Sequence, residues 1–130
     1  MRFGICATID NIEKLAPGTV DYIEMSLSVI HAMTDAELKE AKDRLAAIGV
    51  PAEAANGFFP AEVRLCGKDY RPETVMEYTK RAMDKADYLG IHTCVLGSSF
   101  ALEEKEGINA LPAGQEYHNT HTITIENAGE

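Results

Sequence analysis

The chain has 130 residues, 45% of them hydrophobic and 25% charged, which fits one soluble globular unit with a real core and excludes a disordered chain. Its 12 basic and 21 acidic residues give a formal charge of −9, which repels phosphate backbones and anionic bilayers, so neither nucleic acid nor a membrane is an expected partner. No apolar run approaches the ~20 residues of a membrane helix, and the start Met1-Arg2-Phe3-Gly4-Ile5-Cys6 lacks a secretory pattern, so a cytoplasmic protein is expected.

Arg2 to Thr8 reads as a first short strand, followed by a brief helix with Asp10 at its N-cap, Glu13 three residues on and Gly18 closing it. Val20 to Met25 is a second strand, rich in β-branched and aromatic residues. Residues 26–33 read as the loop that follows it. Thr34 and Glu37 then form a capping box for a helix whose apolar face is Leu38, Ala41, Leu45 and Ile48, with Gly49 as its C-cap. Pro51 to Phe59 is a third strand. Pro72 opens a long helix ending near Gly90, with Val75, Thr79, Ala82, Ala86 and Leu89 as its inward stripe. His92 to Gly97 is a fourth strand whose apolar centre, Cys94-Val95-Leu96, suits a sheet covered on both faces. The regularity then fails over 99–120 and returns in an alternating strand at 121–127. The reading is α/β: a partial parallel (β/α) barrel of about five strands and three to four helices in a single domain, regular over residues 1–98.

In such architectures the reactive groups gather at the C-terminal ends of the strands. Glu24 and Glu126 each end an apolar strand, where a carboxylate is costly unless it is paired, hydrogen-bonded or metal-bound, so both are candidate catalytic residues. Asn56 beside Gly57, Ser98 in Gly97-Ser98-Ser99, and His31 in the loop after the second strand are candidate substrate-binding residues on the same open face. His92 starts a strand and belongs to the opposite, structural end. The three cysteines, Cys6, Cys66 and Cys94, form no Cys-x-x-Cys pair and are expected to be small buried hydrophobes. No nucleophile elbow, dinucleotide-binding glycine pattern or Walker sequence occurs.

The runs Arg2-Phe3-Gly4-Ile5-Cys6-Ala7, Val20-Asp21-Tyr22-Ile23-Glu24, Pro51-Ala52-Glu53-Ala54-Ala55-Asn56-Gly57-Phe58-Phe59-Pro60 and Cys94-Val95-Leu96-Gly97-Ser98, in that order and spacing, resemble the sugar phosphate isomerase/epimerase group of the xylose-isomerase-like barrels. The resemblance covers residues 1–98. It implies a divalent metal (Mn, Mg, Co or Zn), a small sugar or sugar-phosphate substrate, and proton transfer between adjacent carbons through an enediolate. Ile123-Thr124-Ile125-Glu126-Asn127 is similar to the family's fifth-strand motif, which gives Glu126 a metal-ligand and proton-transfer role and Glu24 a substrate-side role; the seventh family strand is the other placement for 121–127. At least three strands of the barrel and most metal ligands have no counterpart. The chain is therefore expected to be incomplete as an isomerase or epimerase, the alternative being an inactive partial barrel that acts as a binding module. An open parallel sheet also leaves edges unpaired, so self-association is expected.

Overall fold

The computed structural model describes residues 1–15 and 18–97, together with the backbone of a strand at 121–124. Five strands, β1 (Gly4–Cys6), β2 (Tyr22–Ser26), β3 (Ala52–Asn56), β4 (Thr93–Leu96) and β5 (His121–Thr124), form one sheet in sequence order. The first three pairings are parallel, and helices intervene between the first four strands, so the described chain is a partial (β/α) barrel, as the alternation of strand and helix patterns predicts.

The fifth strand departs from the expectation. β5 runs antiparallel to β4, pairing Leu96 with His121 and Thr93 with Thr124. Both barrel placements considered for 121–127 require a parallel strand, so the structure corrects that part of the reading. Apolar and polar alternation identifies a strand but says nothing of its direction, which depends on the connection rather than on the strand's own residues. As a result β5 ends beside Thr93, at the N-terminal edge of the sheet, and not beside the C-terminal ends of β1 to β3.

The helices follow their local signals. A 3-10 helix spans Ile9–Lys14, shorter and tighter than the expected turn, with Thr8 rather than Asp10 at its N-cap. Helix α1 (Leu27–Ala32) occupies what reads as a loop in the sequence: it is six residues long and its N-cap, Ser26, makes no side-chain cap bond, so neither periodicity nor capping announces it. Helix α2 (Asp35–Ile48) carries the full capping box between Thr34 and Glu37, and Gly49 ends it in the left-handed conformation. Helix α3 (Pro72–Leu89) begins at Pro72 and ends before Gly90.

The core lies between the sheet and these helices. Ile23, Met25, Ala52, Ala55 and Cys94 from the strands meet Leu27, Ile30, Leu38, Ala41, Leu45, Ala82 and Ala86 from the helices. On α3 the buried stripe is Tyr78, Ala82, Ala86 and Leu89. Thr79, expected to face inward, instead turns its hydroxyl back to donate to the Val75 carbonyl at 2.7 Å, and Tyr78 takes the inward place.

β3 contains a bulge. Ile23 pairs with Ala52 but Glu24 pairs with Ala54, so Glu53 is an extra residue opposite β2. The Glu53 carboxylate meets the Arg2 guanidinium through two bonds of 2.7 and 2.6 Å. His92 Nε2 lies 3.7 Å away, and Arg2 also sits over the Tyr22 ring. These contacts tie β1, β3 and the start of β4 together at the N-terminal end of the sheet, where stability rather than chemistry is expected. The Arg2 guanidinium holds the Glu53 carboxyl below its usual range.

Candidate functional site

The C-terminal ends of β1, β2 and β3 are brought together by their parallel register: Cys6 is opposite Glu24, and Ser26 is opposite Asn56. Paired residues of a parallel sheet share a face, so Cys6, Glu24, Ser26 and Asn56 project to the side away from the helix-covered core. Asn56 Nδ2 donates to Glu24 Oε1 at 2.8 Å and approaches Cys6 Sγ at 3.6 Å. Among the described residues Glu24 has no ion-pair partner; Asn56 alone orients its carboxylate.

These side chains line a cleft of about 420 Å³ between the strand ends and the 3-10 helix. The helix contributes Asn11 and Lys14 to the lining, with Thr8 and Leu15 at its two ends. Thr8 Oγ1 accepts from Asn11 Nδ2 at 2.9 Å, and Asn11 Oδ1 accepts from Lys14 Nζ at 2.6 Å. A shallow depression on the outer face of α2, between Lys39, Asp43 and Arg44, is remote from every strand end and is part of the solvated helix surface.

The turn after β3 shapes one rim. Gly57 has φ +55°, and a Cβ there would come 3.1 Å from Ser26 Oγ, so the position favours glycine on both backbone and steric grounds. Its carbonyl accepts from Ser28 N at 3.1 Å, which joins the start of α1 to the end of β3. The other end of α1 is fixed by Lys85 of α3, whose ammonium donates to the carbonyls of His31 and Met33.

Of the residues selected from the sequence, the structure unites Glu24 and Asn56 in the cleft. His31 is elsewhere: it lies on α1 with its ring 4.2 Å from that of Tyr78, and it does not line the cleft. Ser98 and Glu126 lie outside the described residues. Five further side chains with polar or thiol groups line the cleft without being expected from the sequence: Cys6, Thr8, Asn11, Lys14 and Ser26. Cys6 is exposed at the cleft, whereas Cys66 is half-buried and only Cys94 is buried, so the expectation of three buried thiols holds for Cys94 alone. Asn11 and Lys14 carried a usable signal, a polar pair at three-residue spacing directly after the first strand end.

Burial, with Lys85 and Arg81 nearby, lowers the His31 pKa from its ordinary 6.5. The folded state therefore resists a proton that the unfolded chain accepts. The resulting stability is complete above about pH 6.5 and is lost as pH falls through the lower folded value. Melting temperatures measured from pH 7.5 to 5 are expected to fall in this window, and to fall less in His31→Gln. Equal slopes for the two proteins would refute the assignment.

The described residues do not fit a divalent metal. No group of three or more His, Cys, Asp or Glu side chains converges among them, and Glu24 is the one carboxylate in the cleft lining. Likewise, no helix among them is long and apolar enough to cross a membrane.

No family model matches the chain, and no curated protein matches it in sequence. Among solved structures, it is similar to D-psicose 3-epimerase crystallised in the presence of D-fructose, with a TM-score of 0.61 and 24% identity. The match covers 72% of this chain and 36% of that one. The likeness is one of fold, to a barrel that hosts sugar epimerisation, and this chain spans little more than a third of its length.

Proposed function

We propose that the chain forms the sugar-binding strands of an isomerase- or epimerase-like barrel, with the cleft at the ends of β1 to β3 receiving a small polyhydroxylated substrate. The observation that carries this reading is the Asn56–Glu24 bond of 2.8 Å on the open face of the sheet. A carboxylate held by one amide donor keeps acceptor capacity for substrate hydroxyls, and the hydroxyls of Thr8 and Ser26 in the same lining add donors and acceptors that suit a sugar. In the full reaction Glu24 would bind a substrate hydroxyl beside the carbon that exchanges its proton, while Asn56 fixes the carboxylate's orientation. Ser98 is a further substrate contact in the same reading, and a cytoplasmic setting belongs to it; the metal and the enediolate chemistry that the resemblance implies through Glu126 rest on a parallel strand at 121–127, which the antiparallel β5 replaces, and form no part of it.

The test is binding and exchange measured together. Ketoses such as D-fructose are expected to bind the purified chain, and Glu24→Gln is expected to weaken binding about tenfold, as loss of a hydrogen bond to a charged group does. Turnover, followed as deuterium incorporation from D2O with manganese present, is expected at background level in both proteins. Absence of sugar binding would overturn the reading. Exchange that disappears in Glu24→Gln would replace the binding role with a complete catalytic one.

Self-association is part of the same reading. Among the described residues β1 is paired on one side only; Phe3, just before it, is 63% exposed, and Ile5, at its centre, is 44% exposed. An edge strand with exposed apolar side chains and no proline is a template for another strand. Light scattering is expected to show mass rising with concentration and Ile5→Lys to suppress the rise; a wild-type monomer at all concentrations would refute it.

A further inference from the structure

Backbone bonds show which way each residue of β1 faces. The Phe3 carbonyl accepts from Asp21 N at 2.7 Å, and Ala7 N donates to the Glu24 carbonyl at 3.0 Å, so Phe3 and Ala7 turn their backbone groups toward β2. With a period of two, Ile5 turns the same way, and Gly4 and Cys6 each point an N–H and a C=O out from the sheet. The side chains alternate as well. Ile5 stands opposite Ile23, which is buried against the helices, so Phe3, Ile5 and Ala7 line the helix side of the edge while Gly4 and Cys6 lie on the cleft side. The charges and prolines that usually protect an edge are missing from this apolar stripe. Arg2 belongs to the other face, where it meets Glu53 and Tyr22.

From this edge we infer that the chain forms a closed two-fold dimer, with β1 of one copy antiparallel to β1 of the other and Ile5 facing Ile5 across the axis. The inference rests on the association at β1 proposed above and adds the partner's orientation and register. In this register Gly4 faces Cys6 of the second copy, and every outward N–H and C=O of the strand finds a partner. The apolar stripe is also its own complement: Ile5 packs on Ile5, and the large Phe3 stands opposite the small Ala7. An axis at Cys6 or at Gly4 would instead pair strand residues with Thr8 or Arg2, which lie outside the strand. A barrel-like joint, with β1 of one copy parallel to β4 of the next, is closed off because β5 occupies that edge of β4. The isologous joint uses each β1 once and stops at two copies. Ile5 and Cys6 also line the cleft, so the dimer sets Gly4 of the second copy beside Cys6 and continues the floor of each cleft across the axis.

Sedimentation equilibrium of the whole chain and of charge variants tests both the stoichiometry and the register. Wild-type mass is expected to rise with concentration and to level off at two chains. Ile5→Lys and Ile5→Glu each place like charges opposite one another on the axis, so each is expected to stay monomeric alone. Mixed, they are expected to form a dimer, because the facing charges are then opposite. Circular dichroism checks that both variants fold, which the 44% exposure of Ile5 favours. Oxidative crosslinking reads the geometry independently. Ile5→Cys in a Cys6→Ser background is expected to give a disulfide-linked dimer, since the Cα atoms of such a facing pair lie about 4.5 Å apart. Wild-type Cys6, diagonal to its image at about 7–8 Å, is expected not to crosslink, and Cys6→Ser alone is the control. Mass climbing past two chains, a mixture of the charge variants that stays monomeric, or crosslinking through Cys6 and not through Ile5→Cys would overturn the inference while leaving association of the wild type intact. A wild type that is monomeric at every concentration would remove both, and sugar binding would stand or fall on its own titration.

Discussion

Replacing Ile23 with alanine is expected to cost about 2–5 kcal/mol of unfolding free energy, the range found when a buried isoleucine is truncated without collapse of its surroundings. Ile23 is completely buried at the middle of β2. Its backbone is held on both sides, by pairing with Ile5 of β1 and by donation from its N–H to the Pro51 carbonyl at 2.9 Å, so the strand has little freedom to fill the void. A single domain has only about 5–15 kcal/mol in total, so the variant sits near the edge of folding. Urea denaturation provides the number, and Ile23→Val, expected at about 0.5–1.5 kcal/mol, calibrates it. A loss below 1 kcal/mol for alanine would mean that β2 is not the centre of the core.

Tyr78→Ala is expected to cost about 3–5 kcal/mol, the range for truncating a large buried aromatic ring. The ring lies 4.2 Å from His31 and 5.4 Å from Phe59, so it joins α3 both to α1 and to the turn after β3. Its hydroxyl donates to the Phe58 carbonyl at 2.7 Å in a buried setting, and burial pushes its pKa up to about 12. Tyr78→Phe keeps the ring and leaves that carbonyl without its donor, at an expected cost of about 1–3 kcal/mol. The difference between the two variants isolates ring packing from the hydrogen bond. Were both losses the same, packing of the ring would contribute nothing and the contacts described here would be incidental.

The sequence carried most of the strand and helix order because its local signals agree with one another. Thr34, Glu37, Gly49, Pro72 and Gly90 mark helix ends through backbone chemistry that acts over a few residues, and the structure keeps all five marks. What escaped was set by tertiary contact. Helix α1 is short and is held by Lys85 and Gly57, residues far away in the chain, so no window around residues 27–32 contains the reason it is helical. Tyr78 displaced Thr79 on the buried stripe because a ring that reaches Phe58 and His31 gains more than a hydroxyl that can return to its own helix. At the site, strand-end reasoning found Glu24 and Asn56 but not their mutual bond, which depends on register. His31 lies in a segment without helical signals and so reads as a loop residue on the open face, and Cys6 reads as buried because free thiols generally are.

The extra residue in β3 bears on how this strand can change length. Elsewhere in a sheet, losing one codon turns every later side chain to the opposite face. Here Glu53 is the surplus member: without it Ala52 would be followed directly by Ala54, the regular alternation would resume, and Asn56 would still stand opposite Ser26 and beside Glu24. The cost would fall on the Arg2 contact and on the bond that His92 N donates to the Glu53 carbonyl at 3.1 Å, both at the far end of the sheet, not on the cleft. In the history of such a gene, position 53 is therefore a place within a strand where a single-residue indel can pass without inverting the binding face, and relatives that differ in length by one residue there would retain the same arrangement of Glu24 and Asn56.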